Sequence, residues 1–309
     1  MPSTKHNRIG NLDDLVATVK RLRRKPVLAV AAAEDDAVLK SISVAMREGI
    51  AEPALFGDAQ KIKRLARSLR ISLQGVKIVS EPDPTAATLA AVKMCRAGEA
   101  QILMKGLVST AVVLKAVLDR ENGLTTGRIL SHAAVFYSPR IGRLMILTDA
   151  GVNINPDIGR KVEIIRNAIA LAKCLGIARP KVAALAAVET IKPDMTATTD
   201  AAILTQMSLS GQFGDVIVAG PYALDLALSL NAAKHKNVRG PVAGKADILL
   251  APDIEAGNIL YKSLVYFAGL EIAPVVLGAT APIIVTSRSD SSASKLYAIA
   301  LAAFMANDE

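Results

Sequence analysis

Tryptophan is absent from this 309-residue chain, and five phenylalanines and five tyrosines are its whole aromatic content. Ala, Val, Ile and Leu must therefore build the core. Cysteine is scarce: Cys95 and Cys174 stand alone, which excludes a disulfide scaffold. Each sits in an apolar helix-like run outside any CxxC pair, where it reads as a small buried hydrophobe. The three histidines, His6, His132 and His235, are far apart in sequence, which argues against a zinc-type His/Cys site. The opening MPSTKHNRIGNLDDL has no apolar core of the kind a secretory signal needs. Charge, Gly or Pro interrupts the apolar runs before they reach the roughly 20 residues of a membrane helix. The expectation is a soluble, cytoplasmic protein with no membrane partner.

Familiar nucleotide and hydrolase signatures are missing too. No GxGxxG follows a first strand, and there is no GxSxG elbow. The run Gly240 to Lys245 is one residue too short between its glycines for a P-loop. It also has Ala246 where Ser or Thr would hold magnesium. No internal repeat or low-complexity tract stands out.

Apolar residues make up 51% of the chain and charged residues 21%, a globular balance that excludes disorder. At about 150 residues per domain the length predicts two domains with a large core. The net charge of +9 is uneven. Residues 1–105 carry 18 Lys and Arg against 11 Asp and Glu; the rest carry 19 against 17. The surplus lies at residues 20–25 and at Lys61, Lys63, Arg64, Arg67 and Arg70. Three readings fit it: solvated helix faces, a field that attracts an anionic small molecule, or nucleic-acid binding. Nearby aromatics for base stacking are lacking, which counts against the last.

Short apolar runs alternate with longer amphipathic segments. PVLAVAAA (26–33), ALFG (54–57), the run 76–81 and QILMKG (101–106) read as buried strands with helices between, including one over 35–49. Such alternation predicts βαβ units and a parallel sheet. Glu34, Asp35 and Asp36 read as the acidic first turn of the helix. ILSHAAVFY (129–137) and GRLMILTD (142–149), separated by Ser138-Pro139-Arg140, read instead as a hairpin. Strands recur at 181–188, 215–220, 247–252, 273–278 and 281–286, and a last helix runs from about Ser291 to Phe304. The division expected is residues 1–128 plus 283–309 as one domain and 129–282 as the other. Polar residues stand just beyond strand ends at Lys105-Gly106, Asp149, Asp253 and Ser287-Arg288. In open α/β sheets ligands bind there.

The junction Ile284-Val285-Thr286-Ser287-Arg288-Ser289-Asp290-Ser291-Ser292 is the most informative. A strand leads through a hydroxyl-rich turn into a helix. Free N–H groups, serine hydroxyls and one guanidinium suit an anion such as phosphate. Capping by Ser289 or Asp290 is the plain alternative, although capping has no need of Arg288.

Six segments carry a family resemblance: LMKGLVST (103–110), LSHAAVF (130–136), TDAGVNINPD (148–157), GPYALDLALS (220–229), GPVAGKADILLAPDIEAGNILYK (240–262) and SRSD (287–290). On these the chain resembles the phosphotransacylases, the phosphate acetyl/butyryl transferase family, most of all its butyryl branch. The resemblance implies two α/β/α domains with mainly parallel sheets and an interdomain cleft, as in the isocitrate and isopropylmalate dehydrogenases. It implies reversible transfer of a short-chain acyl group, butyryl or similar, between coenzyme A and inorganic phosphate, with acetyl as the alternative. It implies no bound cofactor, no metal in the chemistry and a homodimer. Arg288 is expected to hold the phosphoryl group and Ser287 to donate to the phosphate or oxyanion; Ser289 is expected to bind substrate. In the acetyl branch an aspartate six residues after the arginine is the proposed base for the thiol; here that position is Ser294. Asp290, four residues earlier and so on the same face of a helix, either takes over as base or caps the helix.

Further substrate-binding candidates are Lys105, Ser131, His132, Asp149, Asn153, Asn258 and Lys262. Each has a plain counterpart. Lys105 is a phosphate ligand or a solvated lysine. Ser131 and His132 lie in a strand-like run, where a histidine is commonly just packed. Asp149 and Asn153 line the site or turn the chain. Asn258 and Lys262 share one helical face. Two competing classes stand against the transferase. A metal- and NAD-dependent β-decarboxylating dehydrogenase would need clustered aspartates, and Asp149, Asp225 and Asp253 are not in that family's motifs. A non-catalytic anion-binding module would use the basic face of the first hundred residues.

Overall fold

A computed structural model describes residues 8–286 and 290–307. They group into two compact units. One contains Leu12–Arg128 and the described residues from Glu271 onward; the other contains Ile129–Leu270 and the described part of 1–11.

The first unit begins with α1 (Leu12–Lys20) and then alternates strand and helix: β1 (Val27–Ala31), α2 (Asp36–Arg47), β2 (Glu52–Gly57), α3 (Ala59–Ser68), β3 (Lys77–Ser80), α4 (Pro84–Arg96), β4 (Ile102–Lys105) and α5 (Thr110–Val117). The helix starts are chemically marked. Asp35, Asp58, Asp83 and Ser109 cap α2 to α5 by accepting from backbone N–H groups, and Pro84 opens α4. Asp35 is thus a cap one residue before the acidic first turn expected for it.

The second unit holds β5 (Ser131–Ser138), β6 (Arg143–Thr148), α6 (Ile158–Cys174), β7 (Lys181–Leu185), α7 (Thr196–Leu209), β8 (Ile217–Tyr222), α8 (Leu224–Leu228), α9 (Leu230–His235), β9 (Ile248–Leu250) and α10 (Ile254–Tyr266). β5 and β6 form the expected antiparallel hairpin, from Ala133↔Thr148 to Ser138↔Arg143. The strand order is β5-β6-β9-β7-β8, parallel from β6 onward. Asp253 caps α10 through Ala256 N at 2.8 Å.

The chain then returns to the first unit with β10 (Ile272–Leu277), β11 (Ile283–Ile284) and α11 (Ser292–Met305). There the order is β3-β2-β1-β4-β11-β10, parallel except for the β11–β10 pair. That antiparallel pair, Val276↔Ile283, groups residues 271–282 with the C-terminal helix rather than with the middle of the chain. Residues 281–286 yield only a two-residue strand.

Small aliphatic side chains fill both cores. α11 is buried nearly all round, through Ala298, Ile299, Leu301, Ala302 and Phe304 among others, and packs on β10, α1 and α2. Its alanines let three elements approach it closely. Among the described residues no helix is long and apolar enough to cross a membrane.

Candidate functional site

The residues singled out from sequence fall into two clusters, one per unit. Ser287, Arg288 and Ser289 lie outside the described residues.

In the first unit, Lys105 ends β4, opposite Ala31 of β1. Its Nζ donates to the Gly106 carbonyl at 3.2 Å and the Val108 carbonyl at 3.1 Å. Gly106 is there because the backbone leaves no room: a Cβ would stand 2.1 Å from the Ala32 oxygen. The loops after β1 and β4 are consequently stitched together, with Gly106 N on Ala31 O at 2.7 Å and Leu107 N on Ala32 O at 2.6 Å. Beyond these strand ends is a cavity of about 230 Å³. Lys105, Thr286, Lys295 and the start of α2 contribute to its walls.

Asp290 is buried and precedes α11 instead of lying on it. The cap of α11 is Ser291, whose hydroxyl accepts from Ser294 N at 2.9 Å. Capping by Asp290 is thereby corrected, and so is the shared helical face of Asp290 and Ser294, because the helix begins at Ser292. The Ser294 hydroxyl donates to Glu271 at 2.6 Å and accepts from Ile272 N at 3.0 Å. Ser291 donates to the same Glu271 oxygen. Glu271 thus ties the beginning of α11 to β10, a role with no local signal in sequence.

In the second unit, Asp149 is a hub. Oδ1 accepts from Gly151 N and Val152 N at 2.8 and 2.9 Å. Oδ2 accepts from His132 N at 3.1 Å and from Asn153 N and Nδ2 at 3.3 and 2.7 Å. Five donors hold this carboxylate, and it turns the chain after β6. Asn153 adds a bond to the Leu130 carbonyl and accepts from Arg160. Thr148 donates to the His132 carbonyl at 2.9 Å, and Asn167 donates to the Ser131 hydroxyl at 2.9 Å. The buried His132 ring meets Tyr261 edge-on, with centroids 5.8 Å apart. Asn258 donates to the Ala150 carbonyl at 3.2 Å, and Lys262 Nζ lies 5.2 Å from the Tyr261 ring centre. Gly257, unremarked in the sequence reading, permits this approach of α10, since a Cβ there would stand 2.3 Å from the Asp149 backbone carbonyl oxygen. Ser131, His132, Asp149, Asn153, Asn258 and Lys262 are therefore one connected neighbourhood.

This bonding disfavours the dehydrogenase reading. Both carboxylate oxygens of Asp149 are engaged by backbone and Asn153 donors, and Asp253 caps α10 through Oδ1. Among the described residues no three His, Cys, Asp or Glu side chains come together as a metal site. Cys95 is buried as expected, and burial pushes its thiol up to about 12, far from a nucleophile's range. Cys174 is only half-buried.

The model of the Phosphate acetyl/butaryl transferase family matches residues 12–87 and 81–303. The chain belongs to this family. A phosphate butyryltransferase of Clostridium acetobutylicum is 43% identical over 301 residues, which is 97% of this chain and 100% of that protein. A phosphate acetyltransferase of Thermotoga maritima is 42% identical over 295 residues, 96% of this chain and 99% of that one. The crystal structure of a branched-chain phosphotransacylase from Enterococcus faecalis V583 has a TM-score of 0.81 at 33% identity, over 91% of this chain and 99% of that one. Family membership makes the protein a transferase, and both clusters lie inside the matched residues.

Proposed function

We propose that this protein transfers a short-chain acyl group, butyryl or similar, reversibly between coenzyme A and inorganic phosphate. Acetyl transfer is the second reading, favoured by the 42% identity to a phosphate acetyltransferase. The observation that carries the main reading is the 43% identity to a phosphate butyryltransferase along that protein's entire length.

The residues suit the chemistry. A phosphate oxygen attacks the thioester carbonyl carbon through a tetrahedral oxyanion. The carbon–sulfur bond breaks, the acyl phosphate forms, and the coenzyme leaves as thiolate and takes a proton. The reverse needs the thiol deprotonated; its ordinary pKa of about 8.5 already supplies some thiolate near neutrality. We assign the phosphoryl group to Arg288, whose guanidinium can grip it in bidentate fashion, with Ser287 and Ser289 as donors. Asp290, next in sequence to Ser289, is our choice for the base. Lys105 is proposed as a phosphate ligand. Ser131, His132, Asn258 and Lys262 are proposed to handle the remaining substrate, with Asp149 and Asn153 holding them in position. Binding both reactants together removes much of the entropic barrier.

A cytoplasmic homodimer belongs to the same proposal. Support for the dimer comes from α10 and its end, where Ile259, Tyr266 and Phe267 are exposed, Phe267 to 91%. Leu260 and Leu264 of the same helix border a groove of about 660 Å³.

The test is thioester formation from coenzyme A with acetyl, propionyl, butyryl and isobutyryl phosphate, without added metal. Turnover that peaks at butyryl or isobutyryl supports the main reading. A peak at acetyl moves the protein to the second, and no turnover with any of the four overturns both.

A further inference from the structure

Lys161 is a buried cation that neither the sequence reading nor the proposed chemistry uses. It lies near the start of α6 with 3% of its surface exposed. Lysine is almost never buried so far without a partner. That partner is Asp200, near the start of α7, whose Oδ2 accepts from Lys161 Nζ at 2.6 Å. The Asp200 side chain is itself mostly buried.

Stability alone does not explain such a pair. Desolvating two charges offsets much of their attraction, and apolar side chains of similar volume hold helices together as well or better. What the pair adds is direction. Three, four and seven residues after Lys161, the same face of α6 is apolar and buried, at Ile164, Ile165 and Ala168. Apolar burial is non-directional, so those contacts tolerate a small slide or rotation of the helix. A hydrogen-bonded ion pair fixes one register.

The rest of α6 shows what that register sets. Arg160, next to Lys161, donates from Nη1 to Asn153 Oδ1 at 3.3 Å. Asn153 in turn donates to Asp149 and to the Leu130 carbonyl. About two turns along, Asn167 donates to the Ser131 hydroxyl at 2.9 Å and the Ile129 carbonyl at 3.1 Å. The helix therefore grips the cluster around Asp149 at two points. The other end of the pair is anchored as well. Thr198, two residues before Asp200, is buried, and its hydroxyl accepts from Lys192 N at 2.9 Å and donates to the Met195 carbonyl at 2.8 Å.

We propose that Lys161 and Asp200 are positioning residues. By fixing the register of α6 they place Ser131 and Asn153, and through Asn153 the Asp149 turn, for the acyl-CoA that this cluster handles. The proposal rests on the phosphotransacylase reading given above.

The experiment uses the full-length protein and two readouts. In the first, butyryl-CoA is varied at saturating phosphate, and phosphate at saturating butyryl-CoA. The double variant Lys161→Met/Asp200→Leu replaces the pair by apolar volume and is expected to keep the wild-type Tm. Its KM for butyryl-CoA is expected to rise about fivefold or more, with that for phosphate within about twofold. Lys161→Arg, which keeps the ion pair, is expected to retain most of the wild-type value. In the second, hydrogen exchange is followed by mass spectrometry. Peptides covering residues 149–157 are expected to exchange faster in the double variant, and those covering β8 at the wild-type rate. Should the double variant fail to fold, Asp200→Asn takes its place. The carboxamide is isosteric and removes only the charge, and both readouts are expected to move in the same direction. A folded variant with both KM values and the exchange of 149–157 unchanged overturns the proposal. So does an equal rise in both KM values with faster exchange throughout, which would make the pair a matter of stability alone. A wild type that transfers no acyl group overturns the enzymatic reading, and the exchange of 149–157 then still decides whether the pair sets the place of that turn.

Discussion

At the scale of single residues, chemistry and packing divide along whether a side chain's bonds are spent. Asp149 was legible as polar at a strand end, and two roles were open for it. The structure answers with five donors. Four come from Gly151, Val152 and Asn153, close enough for sequence to suggest a turn; the fifth is His132 N, on the neighbouring strand. The burial of Lys295 was missed because a lysine in a helix reads as surface. The apolar stripe at 298, 299 and 302, extended back one turn, reaches 294 and 295 and was the available signal. Arg288→Ala is expected to lower turnover by about 100-fold or more, ~3 kcal/mol of barrier, with the unfolding midpoint unchanged; near wild-type rates would refute its role. Cys95, with its thiol pushed up to about 12, is expected to resist alkylation at pH 8 in the folded protein and to react once unfolded. Mass mapping of the labelled peptide decides this.

At the scale of elements, strand and helix positions followed from apolar periodicity, and the hairpin from its short polar break. What sequence could not supply was close approach between elements. Gly106 and Gly257 look like ordinary glycines, yet one lets the loops after β1 and β4 touch and the other seats α10 against Asp149. Gly106→Ala is expected to destabilise the protein by about 1–3 kcal/mol, because its Cβ would meet backbone at 2.1 Å, which cannot swing aside. Denaturant unfolding would show it as a lower midpoint, and an unchanged midpoint would contradict the geometry. The α1–α11 contact carries a pH dependence. Burial first, and then the bond from Tyr297 to Asp13 at 2.6 Å, push the Tyr297 phenol up from 10.0 to about 12. A raised pKa favours the protonated form in the fold. Its stabilisation is therefore full below about pH 10 and lost as pH rises toward 12. Tyr297→Phe is expected to flatten stability across that window, as measured by unfolding at pH 9, 10 and 11.

At the scale of the whole molecule, the class was legible because alternating strands and helices leave few architectures. The distribution of charge was legible too, but its purpose was not. A surplus of seven positive charges in residues 1–105 is expected to draw anionic substrates. Raising KCl from about 0.01 M to about 1 M shrinks the screening length from roughly 30 Å to roughly 3 Å. kcat/KM for acyl-CoA should fall several-fold over that range, and a flat profile would return the surplus to mere solvation. The domain assignment was harder, because no local pattern announces the antiparallel β10–β11 pair or the docking of α11 on β10, α1 and α2. The C-terminal return also orders events during synthesis. The unit containing Ile129–Leu270 has all its chain once Leu270 leaves the ribosome. The unit begun at Leu12 must wait for β10, β11 and α11. At about 5–20 residues per second, the 39 residues from Glu271 to Glu309 take roughly 2–8 s. Through that interval the β4 edge that β11 will pair, and the apolar bed that α11 will fill, stand open in the nascent chain. The unit begun at Leu12 is thus completed after the unit that interrupts it, and it is the one a chaperone would need to shield.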